Sequence, residues 1–383
     1  MPTPPHHGVQ VWQEGISPQD AANQASYLGA DIIRYPVRWK DLQPHSGQWQ
    51  SNLVQDLKDI CSSARQYGGN PNLKLLPVID FWPYWVDSVN NVAFTPPPNT
   101  PNPDDYNWRH FSTSAQGCHD FGMMVGQLMK ELHGYADMVE ISNEPNILVD
   151  NSNSHAAGVP PDWYGAMCAQ AILWIDTCTK VNGQSDTSKC IIIGAVDCLT
   201  GNGSGSYNQG NPHPLWMWGY PADIYMWEAI FHTNVSLYML AGSTDLTSRV
   251  HASCHPYPYL KTEQSGTIAA QQTWARYEKV RLQTGAKRLW ITEAGASSYF
   301  LSPSDPHGTG STGGFFRQAE YVEQVLIGAY QRSFDTLEGV VLWPLKDYLY
   351  DPQNPFFDTG LYDSVGSMKV AASRVRSYWT AWN

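Results

Sequence analysis

A single (β/α)8 barrel of the α/β class, with long strand-to-helix loops at its C-terminal face, is the fold this sequence predicts, and three observations predict it. Short apolar, β-branched runs recur eight times, each followed by turn residues and most by a longer stretch of helical character. Most of the runs are apolar throughout instead of alternating, as strands covered on both faces must be. The first begins near residue 9 and the last helix runs almost to Asn383, so residues 1–383 read as one domain with no room for a second.

Taken in order, the first strand falls at residues 9–12. Ser17-Pro18 then opens a helix over "QDAANQASYLG", because a Ser can cap free N–H groups, Pro fits the first turn, and Gly29 can stop it. Strands follow at 32–37 and at 73–79, "LKLLPVI". Ser114 starts the helix "AQGCHDFGMMVGQLMKEL", strand four is 138–142, and Pro161-Asp162 start the helix "WYGAMCAQAILWIDTCTK". Strand five is 190–196, "CIIIGAV", and strand six 249–255. Helix 269–283, strand seven at 288–292, helix 315–331, strand eight at 339–343 and helix 368–379 complete the β-then-α rhythm. The excess over the ~250 residues of a plain barrel lies in loops 81–107, 147–162, 199–220, 261–266 and 297–314. All but one follow a strand directly, which predicts an elaborated face at the strands' C-terminal ends.

Composition excludes several functions. Net charge is −12 with no run of Lys and Arg, so nucleic acid is not an expected partner. No apolar stretch is long enough to span a bilayer, and the opening residues lack a signal peptide's apolar core, although low charge and abundant Asn, Ser, Thr and Gly are what a secreted protein shows. Charged residues make up 15% against ~25% in an average soluble protein, while 16 Trp and 21 Tyr raise aromatics to 13%. Flat rings with a polar edge suit stacking on sugars, and they suit a protein core as well. The seven cysteines form no CxxC pair; Cys178 and Cys190 flank a turn that a disulfide could bridge. No cofactor motif or metal-ligand spacing is present: in "HASCHPY", alternation sets His251 and His255 on one face and Cys254 on the other. His6 and His7 read as a solvated terminus.

The chemistry is carried by two carboxylates. "VEISNEPN", residues 139–146, ends strand four and sets Asn143 and Glu144 at the barrel mouth, where Pro145 stops the ladder. Glu293 ends strand seven in "RLWITEAGAS". Strands three positions apart around one barrel let the two groups face each other, the arrangement glycoside cleavage needs: one acid to protonate the departing oxygen, one carboxylate to attack or activate water. Alternation also aims Glu140 inward, where it reads better as an interior carboxylate held by Arg34 or another buried donor than as a third catalytic group. Asp80, Asp197 and Asp347 end strands too, and fixing loops is at least as good a reading of them as touching a sugar.

Asn-Glu-Pro after strand four with a strand-seven Glu resembles clan A of the glycoside hydrolases, retaining barrel enzymes that cleave β-linked sugars. "ADIIRYPVRWKDLQPHSGQW", residues 30–49, is similar to the second-strand segment of families five and thirty-nine, the latter with its bacterial exopolysaccharide-hydrolase relatives. The resemblance implies Glu144 as acid/base and Glu293 as nucleophile, with Arg34 steadying Glu293, Tyr257 bonding to it and Trp343 forming a floor under the cleaved sugar. Asn143 would bond a sugar 2-hydroxyl and His255 would bond within the site. Where family five commonly carries a His at the end of strand three, this chain reads "PVIDFWPYW", which puts Asp80 or Trp82 in that space. Trp82, Trp85, Trp108, Trp216 and Trp218 are the candidates to line a groove or wall off a pocket. A carbohydrate is the expected partner, and a barrel that binds polysaccharide without cleaving it is the alternative.

Overall fold

Residues 4–11, 16–80, 82–87, 114–150, 159–180, 183–184, 186–198, 217–219, 221–242, 245–258, 264–347 and 358–382 are described by the structure, a computed structural model. The ten strands among them are β1 His6–Gln10, β2 Ile32–Arg38, β3 Lys74–Asp80, β4 Met138–Ile141, β5 Ile147–Asp150, β6 Cys190–Asp197, β7 Met217–Gly219, β8 Val250–His255, β9 Leu289–Ala294 and β10 Leu337–Leu342. Eight of these, all but β5 and β7, close into a parallel barrel in the order β1-β10-β9-β8-β6-β4-β3-β2. It is the (β/α)8 barrel the apolar runs predict.

Helix ends follow the capping logic where the sequence supplies it. Ser17 accepts from Asp20 N and Ser114 from Gly117 N, and Gly29 closes the first helix at φ 84°. Helices Ser51–Gln66 and Ala222–Ala241 were not legible as starts, since Gln50 and Pro221 make no side-chain cap. β1 begins three residues earlier than the apolar run suggests. His6 is exposed as a solvated terminus would be, but His7 is not, at 4%: its backbone N–H and the His6 ring both bond Asp31, and His6 stacks on Trp290. Cys178 and Cys190 are free thiols. No described helix is long and apolar enough to cross a membrane.

At the N-terminal end the barrel is plugged by Ile32, Leu76, Ile192 and Trp290, with Met138 against them. The indole fits because a neighbouring strand offers a glycine: a Cβ on Gly339 would come within 2.2 Å of the Trp290 ring. Gly339→Ala should therefore cost about 1–3 kcal/mol of stability by overpacking. Urea denaturation checks this, and a loss below a few tenths would mean that the indole swings aside.

At the other end, loops are held by a buried charge cluster. Lys369 bonds Asp347 at 2.5 Å and Asp358 at 2.7 Å, and Asp347 also accepts from Gly360 N. Asp347 is thus a loop-fixing group. Burial pushes its carboxyl up to about 8 despite the opposing pull of Lys369, with Asp358 adding to the rise. The folded state then binds the proton more tightly than the unfolded chain between about pH 4 and pH 8, so stability falls as pH rises through that window. Asp347→Asn should flatten this fall, measured as the change in Tm between pH 5 and pH 8; an unchanged slope would place the titration elsewhere.

Two of the long loops meet. β5, directly after Glu144, pairs antiparallel with β7, and Val159 N bonds Pro145 O at 2.9 Å. The chain leaving the fourth barrel strand is thereby tied to the chain leaving the fifth.

Candidate active site

Above the apolar plug the barrel interior turns polar. Arg34, 1% exposed on β2, donates to Glu140 on β4 at 2.5 Å, to Glu293 on β9 at 2.5 Å, to Asn143 at 2.8 Å and to Gln10 on β1. One guanidinium fork therefore links four side chains from three other strands and a loop, a geometry Lys could not reproduce. Burial works against the cation, but Glu140 and Glu293 outweigh it and hold Arg34 more firmly charged than usual. Glu140, wholly buried, also accepts from Thr292 at 2.6 Å and from Ser253 at 3.1 Å. It is the interior carboxylate held by Arg34, with no path to a substrate.

Glu144 reaches the mouth by a break in regular backbone. β4 ends at Ile141, and Ser142 and Glu144 adopt φ of 62° and 49°, with Ala195 on the neighbouring strand at 41°. Left-handed conformations of non-glycine residues cost on the order of 1–3 kcal/mol each and persist only where surroundings enforce them. Here Ser142 N bonds Ile79 O, Glu144 N bonds Ala195 O, and the buried Asn146 amide clamps both backbone groups of Asp197. The last contact makes Asp197 part of the scaffold.

Glu293 sits one residue before the end of β9 and is 5% exposed. One oxygen accepts from Arg34 and the other from the Tyr257 hydroxyl, each keeping a second lone pair. Burial, then the nearby Glu293 and Glu144 charges, push the Tyr257 phenol well above its ordinary value, so it remains a donor. Trp343 packs edge-on against Tyr257, ring centres 6.0 Å apart.

His255 joins the two carboxylates. Its Nδ1 is 3.0 Å from Glu144 and 3.6 Å from Glu293, and its Nε2 is 3.1 Å from Thr292 Oγ1. Thr292 has one hydroxyl hydrogen, given to Glu140, so its oxygen accepts from His255 Nε2–H. That assigns the tautomer and turns Nδ1 to Glu144. Burial disfavours the imidazolium, but the charge of Glu293 and then the bond and charge of Glu144 raise His255 above its ordinary value. One proton is thus shared between Glu144 and His255.

Donor atoms of Glu144, His255 and Glu293 all lie within 4.8 Å of one another, the one cluster of metal-binding type among the described residues. Both Glu293 oxygens already accept strong donors, and the Arg34 cation stands beside them, which suits a carboxylate pair better than a dication. The structure thus brings Arg34, Asn143, Glu144, His255, Tyr257, Glu293 and Trp343 together. Trp82 it places elsewhere: the indole is 3% exposed, stacked on Phe121 and edge-on to Trp39, a core position where the sequence suggested a sugar contact. Asp80 is buried and Trp85 bonds Gln43 O, while Trp108 and Trp216 and the side chain of Trp218 lie outside the described residues. Gln10, Ser253 and Thr292 were not singled out from sequence; their only signal is a polar residue inside an apolar strand.

No protein-family model and no curated protein sequence matches the chain. Solved structures do. A family 39 glycoside hydrolase from Bacteroides cellulosilyticus WH2 aligns over 99% of this chain and 64% of its own, at 16% identity and TM-score 0.59. An exo-β-1,4-mannosidase from Opitutaceae bacterium strain TAV5 aligns over 98% and 59%, at 14% and 0.57. A GH5_18 protein from Streptomyces cattleya, solved with GlcNAc, aligns over 100% and 81%, at 14% and 0.62. The chain spans less than two thirds of the first two. At these identities the likeness is one of fold, and it is the fold that the sequence resemblance implies.

Proposed function

We propose that this protein is a retaining glycoside hydrolase that cleaves a β-linked oligo- or polysaccharide by double displacement. The observation that carries the reading is the approach of one Glu144 oxygen to one Glu293 oxygen to within 4.8 Å across the barrel mouth, which leaves no gap for a water held between the two carboxylates. Retaining pairs stand about 5–5.5 Å apart, whereas inverting pairs need ~6.5–9.5 Å to admit a water. The β-linkage rests on the clan A resemblance and on the exo-β-1,4-mannosidase among the structural neighbours.

The partners support the roles. Glu293, oriented by Arg34 and Tyr257, keeps a lone pair to attack the anomeric carbon. Glu144 carries the proton it shares with His255 to the departing glycosidic oxygen. In the second step the bond between sugar and Glu293 breaks as water attacks, and the Glu144–His255 pair takes the water's proton, restoring both groups. Asn143, which accepts from Arg34, bonds the sugar 2-hydroxyl, and Trp343, packed on Tyr257, lies under the ring.

Turnover of aryl glycosides tests the assignment. Glu144→Ala should lose about 10²–10⁴-fold on substrates with poor leaving groups and far less on those with very good ones, which need no proton. Equal losses across leaving groups would remove Glu144 from the acid role, and no turnover by the parent protein on any aryl glycoside would favour a barrel that only binds.

A further inference from the structure

A second cavity, of about 480 Å³, opens at the N-terminal end of the barrel, opposite the carboxylate pair, between β6, β8 and helices Ala222–Ala241 and Gly266–Thr284. That volume is in the range of small-molecule sites. Ile193 and Ala252, buried, and Ile230 and Val250, half-buried, form its apolar wall, with the neutral polar side chains of Asn234, Thr247, Ser248 and Thr284 beside it. Its open end is cationic, with Lys287 and Arg288 exposed at the rim and no carboxylate among the lining residues. The nearest acid to Arg288, Glu338, stands at 3.8 Å, an exposed and weak pairing.

The hydrogen bonding at this end is unbalanced. Both ring nitrogens of the buried His251 face donors, Nε2 toward Arg288 at 3.2 Å and Nδ1 toward the Trp290 indole N–H at 3.2 Å. Burial, with Arg288 and then His6 alongside, lowers His251 to about 4, so it is neutral. A neutral imidazole accepts at one nitrogen only. One N–H is therefore set against another, an excess of donors at His251. A ligand that brings acceptors relieves that excess.

We propose that this cavity binds a small amphipathic carboxylate, its tail against Ile193, Ile230, Val250 and Ala252 and its carboxylate between Lys287 and Arg288. Apolar burial supplies affinity and charge-assisted bonds at the rim supply selectivity. A neutral polyol would leave the apolar end unfilled, and a bare inorganic anion would leave it wet.

Calorimetric titration of the full chain with octanoate, 1-octanol and acetate tests this. Octanoate should bind once per chain, 1-octanol roughly tenfold or more weakly for want of the charged bonds, and acetate not measurably. The exposed pair Lys287→Glu/Arg288→Glu should weaken octanoate by roughly tenfold or more and leave 1-octanol unchanged. Ile230→Trp, which fills the interior, should abolish both, its circular dichroism confirming the fold; if it does not fold, the charge-reversal pair decides alone. Absence of octanoate binding, 1-octanol binding as tightly, or octanoate binding that survives the charge reversal would each overturn the proposal.

Discussion

Glu293→Ala should lose turnover by on the order of 10⁵-fold whatever the leaving group, the largest change expected of any single substitution here. At 1.36 kcal/mol per decade this removes roughly 7 kcal/mol of transition-state stabilisation. Both steps pass through the same oxygen, so neither a better leaving group nor higher pH compensates. Removing the carboxylate leaves room at the anomeric face, and azide added to the variant should restore slow turnover, with the glycosyl azide bearing the opposite anomeric configuration to the substrate. Proton NMR of the product reads that configuration. A variant that keeps more than about a hundredth of parental activity, or yields azide with retained configuration, would show that another group attacks. Binding should survive, because Arg34, Asn143 and Trp343 keep their positions.

Arg34→Ala should be the most destabilising single change, by about 3–5 kcal/mol, because it leaves the buried carboxyl groups of Glu140 and Glu293 without their common partner. The test is a urea titration at neutral pH beside Arg34→Met/Glu140→Leu, in which one buried charge is removed together with its partner. The double variant should be the more stable of the two, since replacing a buried pair with apolar groups is close to neutral while breaking one is not. If Arg34→Ala loses less than 1 kcal/mol, Glu140 must find another donor and the polar layer is not organised around the guanidinium.

Most strands were legible because they are apolar on both faces, a property local to the run. Where an element's edge depends on distant contacts, the sequence was silent: β1 extends back through His6 and His7 because Asp31 and Trp290 receive them. Helices Ser51–Gln66 and Ala222–Ala241 lack capping side chains and carried no start signal. At the site, Asn143 and Glu144 declare themselves through Asn-Glu-Pro at the end of strand four and Glu293 through its matching place on strand seven, whereas Asp197 and Asp347, which also end strands, serve the scaffold. Thr292 and Ser253 do not declare themselves, since nothing in "ITEA" or "HASCH" says which buried carboxylate their hydroxyls will meet. Trp82 shows the converse: a strand-end indole is equally fit to face a sugar or to turn back into the core, and only the packing against Phe121 decides.

The guanidinium that reaches Gln10, Glu140, Asn143 and Glu293 has an evolutionary corollary. Contacts that share one hub cannot drift independently: a replacement at any spoke is tested at once against the solvation of the others and against the fold. Such a hub resists neutral exploration, so descendants of this chain would diversify through the segments that overhang the mouth while the inner ring is inherited as a block. A designer retargeting the protein inherits the same division of labour, with specificity to be written in the loops and the barrel interior left as found.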